Sequence, residues 1–264
     1  MNDKQRVIGV IGGTGWLGAA IVNGILQSHD FANTRLIVSY RTHAPRETSA
    51  QVSVTQDNQY LVEQSDMVIL SVRPQDWPAI NIDLKGKLVI SVMAGITAAQ
   101  ISEGAHTSKV IRSLPNAAAS INESYTPWFA SQACSTDDLS IIPTLFNTFG
   151  TEDQCEIEDD IDYLTAISGA GPAYPALLAQ ALEESALTHG LPKHIARHAA
   201  NAVIRGSGGL LEDLNSSPEQ LVNVFENYGG TTAAGLISMR QAGFVKAVDQ
   251  GINAAYQRAK TLGR

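Results

Sequence analysis

Two cysteines in 264 residues, Cys134 and Cys155, with no C-x-x-C spacing, speak against a disulfide framework and against a thiolate metal site. Both are expected as free thiols in a reducing cytoplasm. Long apolar runs are equally scarce: residues 67–72 form one far too short to cross a bilayer, so no membrane span is expected. The first strand-like run begins at Val7 and leaves no room for a secretory leader, which makes a cytoplasmic location the expectation. No basic cluster occurs, and a net charge of −8 is the wrong sign for a nucleic-acid surface. With 44% hydrophobic and 17% charged residues, the composition is that of a soluble globular protein with a sizeable core, long enough for two modest domains.

What is present is concentrated near the N-terminus. The apolar run Val7-Ile8-Gly9-Val10-Ile11 flows into Gly12-Gly13-Thr14-Gly15-Trp16-Leu17-Gly18 and then into Ala19-Ala20-Ile21-Val22, which reads as strand, glycine turn and helix. Gly13, Gly15 and Gly18 satisfy G-x-G-x-x-G, a pattern that lets the backbone approach a pyrophosphate held at the N-terminus of the following helix. A glycine-rich turn can also do no more than bend the chain; the strand before it and the helix after it favour the dinucleotide reading.

A second strand, Arg35 to Val38, ends in Ser39-Tyr40-Arg41-Thr42, where an NAD-specific protein carries an acid for the ribose 2′-hydroxyl. No acid stands there. Ser39, Arg41 and Thr42 instead suit the 2′-phosphate of NADPH, since Arg forms charge-assisted bonds to phosphate, with NADH still possible; the alternative is that Arg41 is an ordinary solvated cation. Further strands are expected over residues 66–72, 88–92 and 109–113, alternating with helices. That alternation predicts a doubly wound parallel sheet with its ligand crevice at the carboxyl ends of the strands, where Val72-Arg73-Pro74-Gln75, Ala94-Gly95 and Leu114-Pro115-Asn116 follow. Asn58, after the second strand, joins the cofactor candidates.

Beyond about Asp160 the strand pattern stops. Helices are expected over residues 172–190, from Pro192 towards Leu211, over residues 218–225, and from about Thr231 to Leu262 with a break near Gly243. The division is therefore a nucleotide-binding domain at 1–159 and an all-helical domain at 160–264, whose apolar stripes it cannot cover alone, so a homodimer or larger homo-oligomer is expected. Gly229-Gly230-Thr231-Thr232 sits where a loop becomes a helix. Its N–H groups form a concavity suited to a carboxylate, or its Thr hydroxyls simply cap the helix. No metal is expected: His194 and His198 are four apart but lack the Glu of H-E-x-x-H and a third ligand. The acids Glu156, Glu158, Asp159, Asp160 and Asp162 lack the spacing of a metal loop and mark the start of a helix.

The ordered motifs Val72-Arg73-Pro74-Gln75, Ser91-Val92-Met93-Ala94-Gly95-Ile96, Arg112-Ser113-Leu114-Pro115-Asn116, Ser168-Gly169-Ala170-Gly171-Pro172-Ala173-Tyr174 and Gly229 to Leu236, together with the glycine turn, resemble the pyrroline-5-carboxylate reductase family over nearly the whole chain. That resemblance implies a Rossmann domain followed by an all-helical dimerisation domain, and NADPH-dependent reduction of a cyclic imino acid, 1-pyrroline-5-carboxylate, to proline in amino-acid biosynthesis. It implies a carboxylate held by Gly229, Gly230, Thr231 and Thr232, with Thr232 near the ring nitrogen, Asn116 at the nicotinamide and Ser168 as a further catalytic candidate. Asn116 can equally be a loop residue satisfying its own backbone. The chain departs from the family pattern in Ala117-Ala118 after Asn116, in Ala170, and in Asn227-Tyr228 before the last motif. These departures keep open a reductase of another cyclic imine, or an NADPH-binding homologue without turnover. The Gly-Gly-Thr-Gly form of the first turn is similar to F420-dependent NADP reductases, a minor alternative because those lack a helical domain with the motifs at Ser168 to Tyr174 and Gly229 to Thr232.

Overall fold

The computed structural model describes residues 5–44, 49–213 and 217–262. Among them eight strands form one sheet: β1 (Arg6–Ile11), β2 (Thr34–Ser39), β3 (Val52–Thr55), β4 (Met67–Leu70), β5 (Leu88–Ser91), β6 (Val110–Ser113), β7 (Ser124–Ala130) and β8 (Gly150–Gln154), in spatial order β3-β2-β1-β4-β5-β6-β7-β8. The first six run parallel; β7 is antiparallel to β6, and β8 is parallel to β7. The expected doubly wound parallel sheet is present over β1 to β6, and β7 and β8 extend it with a mixed edge. Three strands escaped the sequence reading. β3 and β8 are edge strands with little or no buried surface, and a strand that buries neither face needs no apolar run. In β7 the punctuating Pro127 lies mid-strand.

Between and after the strands lie α1 (Trp16–Gln27), α2 (Asn58–Gln64), α3 (Ala98–Ala105), α4 (Thr136–Ser140), α5 (Ile142–Phe146) and α6 (Glu158–Leu164), then α7 (Ala173–Thr188), α8 (Lys193–Asp213), α9 (Pro218–Tyr228), α10 (Gly230–Gln241) and α11 (Phe244–Ala259). The strand interiors read as unbroken apolar runs because both faces of the sheet are covered. Ile8, Val10, Met67, Ile69, Leu88 and Ile90 pack on one face with Ile21 and Ile25 of α1 and with Phe146 and Phe149. Ile11, Val68, Leu70 and Val89 face the other way, onto Leu61 of α2, Ile101 of α3 and Trp77. Each such side chain contributes roughly 1.5–3 kcal/mol by leaving water, so the sheet's register is set from both sides.

The chain divides into two compact units, one of residues Met1–Ala170 with Ala255–Arg264 and the other of Gly171–Ala254. In the second unit α7 and α8 pack along each other, with Arg197 Nη2 3.3 Å from Glu183 Oε1. None of α7, α9 and α10 buries a single residue. Leu177, Val224 and Val245 are 66%, 62% and 64% exposed. No helix among the described residues is long and apolar enough to cross a membrane.

Candidate active site

At the end of β1 the chain reverses within a few ångströms, and two glycines make this possible. Gly12 has φ +79°, and a Cβ there would stand 2.4 Å from the carbonyl oxygen of Ser71. A Cβ on Gly18 would stand 2.5 Å from the oxygen of Gly12 and 2.7 Å from Gly13 Cα. The tight reversal therefore belongs to Gly12 and not to Gly13, which the sequence pattern singled out; Gly13 is buried beneath the turn. Gly15 caps α1 without any side-chain hydrogen bond, leaving the N–H groups of Trp16, Leu17 and Gly18 in the first turn for an anion. Thr14 is half-buried between them.

Because β1 lies between β2 and β4, the chain direction across the sheet reverses here. At such a switch point α/β proteins hold their ligands. A cleft of about 610 Å³ opens beyond the carboxyl ends of β1, β4, β5 and β6. Gly15, Trp16 and Leu17 line it after β1, Val72, Arg73 and Pro74 after β4, and Ala94 after β5. Ser71, Val92 and Met93 line it too, from the same loops, and Leu114 and Pro115 from the one after β6. The far wall is formed by Thr165, Gly169 and Ala170 from beyond α6, the last two within the motif that starts at Ser168, and by Ala255, Arg258, Ala259 and Leu262 from the end of the chain, which carried no sequence signal.

The other predicted cofactor residues lie outside this lining. Ser39 is buried, and its hydroxyl oxygen accepts the Gly12 N–H at 3.4 Å, so it braces the glycine turn instead of facing a phosphate. Arg41 and Thr42 are exposed at the end of β2, and Gln56 Nε2 donates to the Arg41 carbonyl at 3.2 Å. Asn58 opens α2, half-buried behind the capping Asp57, whose carboxylate accepts Tyr60 N–H at 2.9 Å. Gln75 is exposed, and Gly95, with φ +74°, turns the chain after Ala94. Arg41 is not isolated: its Nη1 lies 3.5 Å from Asp76 Oδ1, while Arg73 Nε donates to Asp76 Oδ2 at 2.9 Å. The hydrogen bond from Arg73 holds the Asp76 carboxyl below its usual range, with the Arg41 charge adding to the effect.

Asn116 has a bracing geometry. Its Oδ1 accepts Ala118 N–H at 2.9 Å and its Nδ2 donates to the Ser168 carbonyl at 3.0 Å. Of the two readings left open for it, the local one describes what the side chain does, with the tie to Ser168 added. Ser168 itself turns its hydroxyl back to the Leu164 carbonyl at 2.9 Å. Neither residue is among those lining the cleft, and the hydrogen bonds of both brace the wall that follows α6. That wall, Thr165–Gly169, is a π-helical turn closed by Ala170 N–H to the Thr165 carbonyl at 3.0 Å, a wider winding found often at functional sites.

Beneath the wall lies a buried ion cluster. Arg112 on β6 is 1% exposed; its Nη1 donates to Glu158 at 3.3 Å and its Nη2 to Asp162, both on α6. Glu158 Oε1 also accepts Ala98 N–H at 2.8 Å at the start of α3. The acidic run is thus more than a helix start: two of its members anchor α6 to the sheet. Burial pushes the Cys134 and Cys155 thiols up, and both are free.

In the second unit α10 begins at Gly230 with Gly229 as its cap, at φ +79° and without a side-chain hydrogen bond. The alternative in which a Thr hydroxyl caps this helix is therefore excluded. Thr231 and Thr232 lie in the first turn, both exposed, and their N–H groups with that of Gly230 have no partner within the helix. Tyr228, just before, is 90% exposed. His194 and His198 sit with Lys193 and Arg197 along a hollow on α8, and among the described residues no three potential ligands converge on a metal position.

Residues 158–262 match the family model described as pyrroline-5-carboxylate reductase dimerisation, and residues 7–95 match that of NADP oxidoreductase coenzyme F420-dependent. A pyrroline-5-carboxylate reductase of Synechocystis sp. is 31% identical, over 97% of this chain and 98% of its own. A solved pyrroline-5-carboxylate reductase from Coxiella burnetii superposes with a TM-score of 0.86 at 25% identity, covering 99% of this chain and 100% of its own. The same fold is seen in a Plasmodium falciparum pyrroline carboxylate reductase with NADP bound, at a TM-score of 0.81 and 23% identity, over 98% of each chain.

Proposed function

The chain belongs to the pyrroline-5-carboxylate reductase family, and from that premise we propose that it reduces 1-pyrroline-5-carboxylate to proline with NADPH. The observation that carries this reading is the likeness of nearly the entire chain to a curated reductase, with neither protein left with an unmatched domain. The site fits a dinucleotide. A Cβ would fill the cradle at Gly12 and Gly18, the start of α1 is uncapped beside the cleft, and Arg41 stands past β2 for a 2′-phosphate.

When bound, NADPH supplies a hydride to the imine carbon. The C=N π electrons go to the nitrogen, which already carries a proton in the reactive iminium form and leaves as a neutral amine. Such a reaction asks little acid–base chemistry of the protein and a great deal of positioning. The N–H groups of Gly230, Thr231 and Thr232 receive the substrate carboxylate, and the Thr232 hydroxyl oxygen accepts the ring N–H. The cleft excludes water with the apolar side chains of Val72, Val92, Met93 and Leu114.

Purified protein should consume NADPH only when 1-pyrroline-5-carboxylate is added, with proline as the product by chromatography. Oxidation with a different cyclic imine but not this one overturns the substrate, and NADPH binding without turnover on any imine overturns the enzyme. The same reading makes the protein a homodimer or larger through the uncovered helices of the second unit. Sedimentation at micromolar concentration should show no monomer, and a stable monomer would refute it.

A further inference from the structure

We propose that Asp76 sets the balance between NADPH and NADH, as a built-in counter-ion that a 2′-phosphate must displace from Arg41 and Arg73. The inference rests on the NADPH reading above and goes beyond it to a residue that determines specificity. No acid follows β2 in the sequence, where selection of the 2′-hydroxyl would need one. The fold supplies one from elsewhere. Asp76 lies in the turn after β4, and its carboxylate reaches across to Arg41 at 3.5 Å while Arg73 donates to it at 2.9 and 3.4 Å.

One carboxylate thus holds two guanidinium groups together at the edge of the glycine turn. Arg41 and Arg73 remain 74% and 62% exposed, so both are open to a ligand, whereas Asp76 is only 26% exposed between them. Two cations and one anion leave a net charge of +1. A phosphate monoester near neutral pH carries close to −2, and so both competes with Asp76 for the guanidinium donors and is repelled by it. The exposed Arg41–Asp76 pair is individually weak and yields to the stronger anion. Once displaced, the carboxylate still stands within reach, raising the dissociation constant for any ligand with a 2′-phosphate. Toward a 2′-hydroxyl it acts in the opposite sense, as a hydrogen-bond acceptor.

Asp76→Asn removes the charge and keeps a side chain of the same shape. Dissociation constants for NADPH and NADH, measured by cofactor fluorescence with the intact protein, should then separate. NADPH should tighten about two- to fivefold, a range set by the weakness of exposed charge pairs, while NADH stays the same or weakens. The gain should shrink as salt is raised, because the groups are solvated. In an Arg41→Ala background NADPH should bind more weakly, and Asp76→Asn should recover less than it gains in the wild type. Weaker NADPH binding in Asp76→Asn would show Asp76 to be a brace for the arginines, and an unchanged ratio would show it to be a bystander; either overturns the proposal. If the wild type binds neither dinucleotide, the parent reading fails instead. The ligand pair 2′,5′-ADP and 5′-ADP, which isolates the 2′-phosphate from the nicotinamide, should show the same separation.

Discussion

Arg112→Met is expected to destabilise the protein by about 3–5 kcal/mol, the cost of leaving carboxylates without their buried partner. For a unit of this size that lowers the melting temperature on the order of 10 °C. The expectation follows from asymmetry. With Arg112 1% exposed and paired to both Glu158 and Asp162, desolvation has already been offset by two charge-assisted bonds. Met preserves the volume and removes both bonds, so two carboxylates face an apolar side chain. Arg112 Nε has no partner, so the wild-type cluster already carries one unsatisfied donor and the net value of the pairings is smaller than their number implies. Adding Glu158→Gln and Asp162→Asn to the Met variant should recover part of the loss, since neutral amides are cheaper to bury. A loss below about 1 kcal/mol for Arg112→Met, within the range of a surface pair, would refute the anchoring role. Calorimetry of the three proteins makes the comparison.

Thr232→Ala is expected to lower turnover about tenfold to a hundredfold, corresponding to roughly 1–3 kcal/mol for one lost hydrogen bond in a desolvated site. NADPH binding should be nearly unchanged. The structure sharpens this test by removing an ambiguity. The cap of α10 is Gly229, no side chain bonds to this helix end, and Thr232 is exposed. Loss of the hydroxyl therefore costs no cap, and alanine is the better helix former. A fall in turnover then cannot be a fall in folding, which a melting curve within about 0.5 kcal/mol of wild type would verify. Turnover equal to wild type would mean that the hydroxyl does not meet the substrate nitrogen.

The helices after residue 170 were legible nearly to their ends. Pro172 before α7, Gly190 after it, Pro218 at the start of α9 and Gly243 between α10 and α11 act through their own backbone geometry, and local signals survive in a single sequence. The five apolar strands were legible for a similar reason, since burial on both faces writes a continuous run. β3, β7 and β8 carry no such mark. Within the glycine turn the pattern was visible but the roles were not. Gly12 and Gly13 are neighbours of the same composition, and only the fold separates them: Gly12 takes a φ of +79° beneath the Ser71 carbonyl, whereas a Cβ on Gly13 would meet the Val38 side chain at 2.7 Å.

By itself, then, the sequence determined the alternation of strands and helices, the uncapped turn into α1, and the glycine–threonine turn into α10, each the outcome of forces between residues close along the chain. The tertiary structure decided the rest. It reversed β7 against β6, turned Ser39 and Asn116 inward as braces, brought residues 255–262 to the cleft, and set Asp76 against Arg41. Arg112 and Asp162 stand fifty residues apart and leave no common pattern in the chain. Their pairing exists because a buried charge is stable only where packing delivers a partner, and which partner arrives is settled when the sheet and helices close around it.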